Sequence, residues 1–324
     1  MTEQQQLKQT ERTYGDWAYK AIAKHYNKFI KYEKSVLKDK DSENLHQMRV
    51  GMRRLRSAVS GFIPAVDLPS VVTPHHIGKI AKILGKLRDI DVLQETLVTG
   101  YQPYLSQSEL KSLESVLKKL KKERKSAFKA VVKTLESKSY SQLKNNCQSW
   151  LDNPAYQTVA AIEIQQVLPD LLLPQISYLL LHPGWLIGVE IIDGKIDIAG
   201  EKKIKLEYDL SLTEEKLLHD LRKVAKKTRY NMELFKDIYS PNYSNYLQEI
   251  EEVQEILGVM QDCFILENVL SENLEKDVLT TMPTFNKMLQ EKRQQQWQKW
   301  QTKQEYFLNS AKRQDFRTTV QYPL

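Results

Sequence analysis

The sequence is short of several residue types, and each shortage excludes something. It has two cysteines in 324 residues, Cys147 and Cys263. That is too few for a disulfide framework or a cysteine zinc site, and it fits a reducing cytoplasm. Glycine and proline number eleven each, well under the roughly 12 % that they usually make up together. So few turn formers argue against a β-sandwich or a many-stranded barrel. The most apolar stretch, from Val167 to Ile192, is interrupted by Pro169, Asp170, Pro174, His182, Pro183 and Glu190. A membrane-spanning helix needs about 18 mostly apolar residues in a run, so this stretch is expected to be a buried connection. Residues Met1 to Arg12 are polar and lack the apolar centre of a secretory signal. A soluble, cytoplasmic protein is expected. Acids are also outnumbered, 41 against 48 lysines and arginines, for a net charge of +7. The excess directs attention to polyanionic partners. The 41 % hydrophobic share is enough for a sizeable core, so wholesale disorder is excluded.

What is present is helical periodicity. Tyr14–Leu37, Leu45–Ile63, Ile77–Val98, Ser108–Ser137 and Tyr140–Leu151 all show amphipathic spacing. Turn formers separate them: Pro64, Pro69 and Pro74, then Gly100 and Pro103, then Asn153-Pro154. Helical spacing resumes over Glu214–Tyr239, Tyr243–Glu275 and Thr284 to about Phe316. Between these two runs, Trp185–Ile198 alternates around Asp193-Gly194, which predicts a short β-hairpin.

The chain also repeats itself. Leu45-His46-Gln47-Met48-Arg49, continuing to Arg53, Arg54 and Arg56, recurs 173 positions later as Leu218-His219-Asp220-Leu221-Arg222, continuing to Lys226, Lys227 and Arg229. Ile83-Leu84-Gly85 with Asp89 recurs at the same offset as Ile256-Leu257-Gly258 with Asp262, and Phe62 recurs as Phe235. Two blocks at one offset predict a duplicated helical unit. The halves would run over about 12–152 and 208–312, joined by about 153–207, with 1–11 and 313–324 as tails.

On a helix turning about 100° per residue, with His46 at zero, Arg49, Arg53 and Arg56 fall near 300°, 340° and 280°. Leu45, Met48, Met52, Leu55, Val59 and Phe62 fall at about 160–260°. The basic row therefore flanks the apolar row instead of opposing it, and so borders the buried face. His219, Arg222, Lys226 and Arg229 repeat this pattern, while Arg54 and Lys227 point elsewhere. The block Leu45–Phe62 holds four arginines and no acid. Like charges packed at the edge of a core call for counter-charge, and phosphate suits both the planar fork of arginine and the compact charge of lysine.

Further cations follow. Lys118, Lys122, Lys125 and Lys129 form one row, and Lys79, Lys82 and Lys86 another. Glu252, Glu255 and Val259 stand 173 positions after the second row, and the late helix is glutamine-rich around Gln294–Gln298. The N-terminal half is therefore expected to bind a polyanion more strongly. Gly85 and Gly258 are expected to allow close helix packing, and Asp89 and Asp262 to pair with the basic stripe. His25 and His182 read as structural, and His75-His76 as an exposed turn.

At these residues the sequence resembles the CHAD family, the conserved-histidine α-helical domain. The resemblance rests on His46-x-x-Arg49-(x)3-Arg53-Arg54-x-Arg56, its second copy His219…Arg229, and Leu84-Gly85-Lys86-Leu87-Arg88-Asp89-Ile90-Asp91-Val92. In the second copy, Gln261 replaces the arginine and Phe264 replaces Asp91. The resemblance covers about residues 12–312. It implies an all-α fold of two pseudo-symmetric four-helix bundles around a basic central channel, and binding of inorganic polyphosphate. The implied phosphate ligands are His46, Arg49, Arg53, Arg54 and Arg56 in the first half and His219, Arg222, Lys226, Lys227 and Arg229 in the second. The neighbouring cations Lys82, Lys86, Lys118, Lys122, Lys125, Lys129, Lys223 and Arg293 are further candidate ligands on the basic rows. Gly85, Arg88, Asp89, Gly258 and Asp262 would be structural.

The expected function is binding without catalysis, with no metal or cofactor. Polyphosphate would be the partner, in granules included, and phosphate or sulfate ions could occupy the same channel. Beside phosphate, His46 and His219 should have raised pKa values and strengthen binding as pH falls. A metal-dependent phosphohydrolase is the alternative suggested by Glu43-x-x-His46, but an arginine-crowded histidine is a poor cation ligand. Nucleic-acid binding is disfavoured because aromatics are not interleaved with the basic rows. No membrane association is expected.

Overall fold

A computed structural model describes residues 12–197, 210–274 and 278–324. The fold is all-α apart from one hairpin, and the chain forms two compact units. Unit 1 comprises the residues up to Pro103 together with Leu113–Val167, and unit 2 comprises Tyr104–Ser112 with Leu168–Leu324.

Unit 1 is built from helices α1 (Tyr14–Leu37), α2 (Ser42–Gly61), α3 (Pro74–Glu95), most of α4 (Gln107–Leu135) and α5 (Lys138–Asp152). Their starts are chemically marked. Thr13 and Asp16 form a reciprocal capping box at α1, Asp41 caps α2, and Thr73 caps α3 ahead of Pro74. Helix α2 lies deepest. Leu45, Met48, Met52, Leu55, Ala58, Val59 and Phe62 are all buried, and at Gly51 a Cβ would stand 2.8 Å from the Phe29 backbone nitrogen of α1. Only glycine permits that approach. His76, expected in an exposed turn, instead ties α3 to α5. Its Nδ1 lies 2.8 Å from the Val71 carbonyl and its Nε2 2.6 Å from Ser139 Oγ.

Unit 2 holds most of α6 (Ile164–Leu180), strands β1 (Glu190–Ile192) and β2 (Lys195–Asp197), α7 (Leu212–Glu233), α8 (Pro241–Leu274), α9 (Val278–Thr281), α10 (Pro283–Leu308) and α11 (Ser310–Gln321). The hairpin forms where alternation predicted it, in antiparallel register Glu190 to Asp197. Its turn puts both Asp193 and Gly194 at positive φ, 49° and 74°, as a two-residue primed turn requires. Ile198, the last residue of the predicted hairpin, lies outside the described residues, as do 1–11 and 198–209.

Two expectations are corrected. The apolar stretch read as a buried connection is buried, but it is largely the regular helix α6, which accommodates Pro169 and Pro174. Leu168, Leu172, Ile176 and Leu179 are buried along one face, and burial of that row outweighs two missing backbone hydrogen bonds. Residues 313–324, expected as a tail, belong largely to α11. Phe316 stacks on Tyr246 at 4.3 Å, and the Tyr239 hydroxyl donates to the Val320 carbonyl at 3.0 Å. Asn309 separates α10 from α11, ending one and capping the other through the Lys312 N–H.

Much of the late helix α10 is accounted for by packing. Trp297, Trp300 and Phe307 are buried, with Trp185 stacked on Trp300 at 5.1 Å. Buried Gln304 donates to the carbonyls of Trp185 and Ile187, both at 2.8 Å. At the start of α10, buried Glu109 accepts the N–H groups of Thr284 and Phe285 at 2.7 and 3.2 Å. A carboxylate there satisfies orphan donors and opposes the positive end of the helix dipole. Burial alone would raise its pKa, but these bonds and those from Ser106 bring it down to about 2. Among the described residues, no helix is long and apolar enough to cross a membrane.

Candidate functional site

The arginine row of α2 faces α3. A Cβ on Gly85 would lie 3.4 Å from the Arg49 guanidinium, and one on Gly78 would lie 3.1 Å from that of Arg56. Arg49 and Arg56 are seven residues apart on α2, and Gly85 and Gly78 seven apart on α3, in antiparallel register. The glycines thus seat guanidinium groups, and the close packing expected at Gly85 is arginine against helix. Lys82, four residues after Gly78 and three before Gly85, falls on the same stripe of α3 and is exposed. Asp89 pairs with Arg49 at 3.0 Å, as expected, from an exposed position.

His46 lies at the same end of this groove. Its pKa is lowered, first by burial; Glu43 opposes this, and Arg88, Arg53 and Arg49 add to it. Arg88, read from sequence as structural, belongs electrostatically with His46. Its Nε is buried without a hydrogen-bond partner, and it has no acidic partner among the described residues. Arg56, Lys82 and Lys86 likewise have none. The sequence signal for Arg88 was its spacing, three residues past Gly85.

The other predicted ligands of unit 1 lie elsewhere. Arg54 is on the α1 side of α2, where it depresses the pKa values of His25 and Lys28. That contact explains its separate angle on the helical wheel. The lysines at 118, 122, 125 and 129 form the solvated outer face of α4, opposite buried Val116, Leu120 and Ala127. Arg124, on the flank of α4, clamps that helix in place. It donates to both carboxylate oxygens of Asp39 at 2.7 Å and to buried Asp91 at 2.6 Å.

In unit 2 the equivalent row on α7 faces α8, and the Arg–Gly seat recurs once. A Cβ on Gly258 would lie 3.2 Å from Arg222. Arg222 has no acidic partner among the described residues, and its Nε is buried and unpartnered. The second seat is absent, because Glu251 stands 173 positions after Gly78. Arg229, predicted to bind phosphate, is buried, pairs with Glu251, and contacts Glu233 at 3.2 Å. Arg293, also predicted as a ligand, is buried and paired with Glu267. Lys223 is held by Asp220 at 2.8 Å, and Lys227 is exposed away from the row. For Lys223, Arg229 and Arg293 the cause is shared, namely carboxylates supplied by neighbouring turns and helices.

His219 also has a lowered pKa. Burial comes first, then Lys223 and Arg222, against a hydrogen bond to Gln261. In the protein alone, therefore, both histidines lie below the ordinary value, and the rise expected beside phosphate would have to come from the ligand. Among the described residues no group of three His, Cys, Asp or Glu side chains is placed to hold a metal ion. The two cysteines are buried, and burial pushes both thiol pKa values up, that of Cys147 to about 12.

The CHAD domain family matches residues 20–271 of the chain, well over half of it. The chain belongs to the CHAD family. Two solved structures share the fold of this CHAD protein. The CHAD domain from the plant Ricinus communis is 20 % identical, with a TM-score of 0.56, over 97 % of this chain and 94 % of that one. PptA from Streptomyces chartreusis is 12 % identical, with a TM-score of 0.66, over 91 % and 99 %. No curated protein matches the chain.

Proposed function

We propose that this CHAD protein binds inorganic polyphosphate without transforming it, chiefly on the α2–α3 groove of unit 1. The observation that carries this reading is the set of cations left without counter-charge there. Arg56 is seated on Gly78 and Lys82 lies on the same stripe, with Arg88 beside His46. Arg88 keeps a buried Nε–H with no acceptor, and such a donor costs free energy until an anion meets it. A chain of phosphates supplies one anionic unit after another along a groove whose arginines recur every seven residues. The expected site thus narrows to His46, Arg49, Arg53, Arg56, Lys82 and Arg88. Lys86 and the lysines of α4 contribute a diffuse field.

Binding without catalysis fits the same geometry, because a histidine ringed by arginines repels the cation that a metallohydrolase would require. We also infer a cytoplasmic location, where polyphosphate granules would be accessible. The test is titration of the full-length protein with long-chain polyphosphate at several salt concentrations, with free phosphate monitored. The reading expects binding that weakens steeply with salt, by analogy with counterion release from nucleic acids, and no phosphate release. Preference for duplex DNA in competition, or hydrolysis of triphosphate, would overturn it.

A further inference from the structure

The two arginine rows differ at one position in a way that bears on where a ligand can lie. In unit 1, Arg56 rests over Gly78, its guanidinium exposed and without an acidic partner among the described residues. In unit 2 the position of Gly78 is taken by Glu251, whose carboxylate pairs with Arg229. Glu251 is itself nearly half exposed, at 45 %, whereas Arg229 is 9 % exposed. The carboxylate therefore covers the guanidinium from the solvent side. Glu233 also contacts Arg229 at 3.2 Å from the following turn, yet Arg229 keeps features that suit a further anion. Its Nε is buried without a partner, and its guanidinium stacks 4.9 Å from the Tyr230 ring centroid.

We propose that Glu251 is a built-in counter-ion that occupies, at Arg229, the place where a phosphate oxygen lies at Arg56, and so excludes polyphosphate from that end of unit 2. This rests on the reading that unit 1 binds polyphosphate. The chemical logic is substitution of like for like. A carboxylate and a phosphate oxygen satisfy the same guanidinium fork, and the one that is tethered has the higher local concentration. Glu251 then sets which arginines a polyphosphate chain can use.

The test uses full-length protein and long-chain polyphosphate. The Arg49→Ala/Arg56→Ala background weakens unit 1, and Glu251→Ala or Glu251→Gln is then added. Alanine keeps the helix and removes the carboxylate, while glutamine keeps the size and removes the charge. Each is expected to recover about tenfold in affinity, one added phosphate contact's worth, and to steepen the salt dependence by about one ion. Adding Arg229→Ala should abolish the recovery. Glu255→Gln, which changes net charge equally on the same helix, should recover less than about twofold. Equal recovery from Glu255→Gln, or recovery that survives Arg229→Ala, would overturn the proposal. So would no recovery in variants that unfold at the wild-type temperature. If the wild-type protein bound no polyphosphate, the underlying reading would fail instead, and the two failures are distinct.

Discussion

The two units carry the same basic positions on one helix and opposite charges on the helix that faces it. Over residues 79–89 of α3, Lys79, Lys82, Lys86 and Arg88 stand against the single acid Asp89, whereas the matching positions of α8 hold Glu252, Glu255, Val259 and Gln261, with Asp262. Unit 1 leaves Arg56 of its row, with Arg88 and Lys82 opposite, without an acidic partner among the described residues, while unit 2 closes several cations internally. Besides Arg229 and Arg293, Lys303 pairs with Glu249 at 2.7 Å and also with Glu252. The lesson is that a basic helix is not in itself a binding site. The facing helix decides whether its charge is available to a ligand.

The comparison can be broken most severely by making unit 1 resemble unit 2. Gly78→Glu with Lys82→Glu places carboxylates opposite Arg56 and reverses the centre of the stripe. Polyphosphate affinity should fall more than about a hundredfold, since each lost charge-assisted contact is worth about 1.5–3 kcal/mol. Isothermal titration would measure this, and a loss under threefold would deny the groove its role.

Acid stability offers a second contrast. In unit 1, His25 is buried with its Nδ1 unpartnered, and burial plus Arg54, Lys24 and Lys28 lower its pKa to about 4. A histidine depressed in the folded state binds protons more readily when unfolded. The stability it contributes is therefore intact above pH 6.5 and lost as pH falls toward about 4, a loss of about 3 kcal/mol. In unit 2 His182 and His219 are also lowered, but the group depressed furthest is Glu109, whose contribution is intact above pH 4.5 and lost toward about 2, also about 3 kcal/mol. Unit 1 should therefore weaken first on acidification. Hydrogen exchange from pH 7 to 4 would show it, and His25→Gln should flatten that response while leaving unit 2 unchanged.

A smaller effect concerns His46. Its free pKa lies below 6.5, and neighbouring phosphate would raise it. Affinity should then rise as pH falls through the bound value and level off below the free one, by about three- to tenfold for one histidine. Binding measured at fixed ionic strength from pH 8 to 5 should show this rise, and His46→Gln should remove most of it.

Much of this was legible in the chain. The apolar row of α2 with its flanking arginines, the Arg49–Asp89 pair and the Asp193-Gly194 turn all follow from local spacing. What was not legible depends on partners distant in sequence. A helical wheel for α7 shows Arg229 beside Arg222, but not that a carboxylate on α8 covers it. The clue lay in the repeat itself, where Gly78 becomes Glu251. Helix α6 was hidden because two prolines argue locally against a helix that tertiary burial nevertheless sustains. The lysines of α4 looked like site residues because spacing aligns them, yet the buried face of α4 turns them outward.

The most direct test compares the two rows in one titration with long-chain polyphosphate at fixed salt and pH. Arg56→Ala should weaken binding about tenfold, and Arg229→Ala by less than about threefold, because Arg229 is already neutralised by Glu251. Equal losses, or the larger loss in unit 2, would contradict the account.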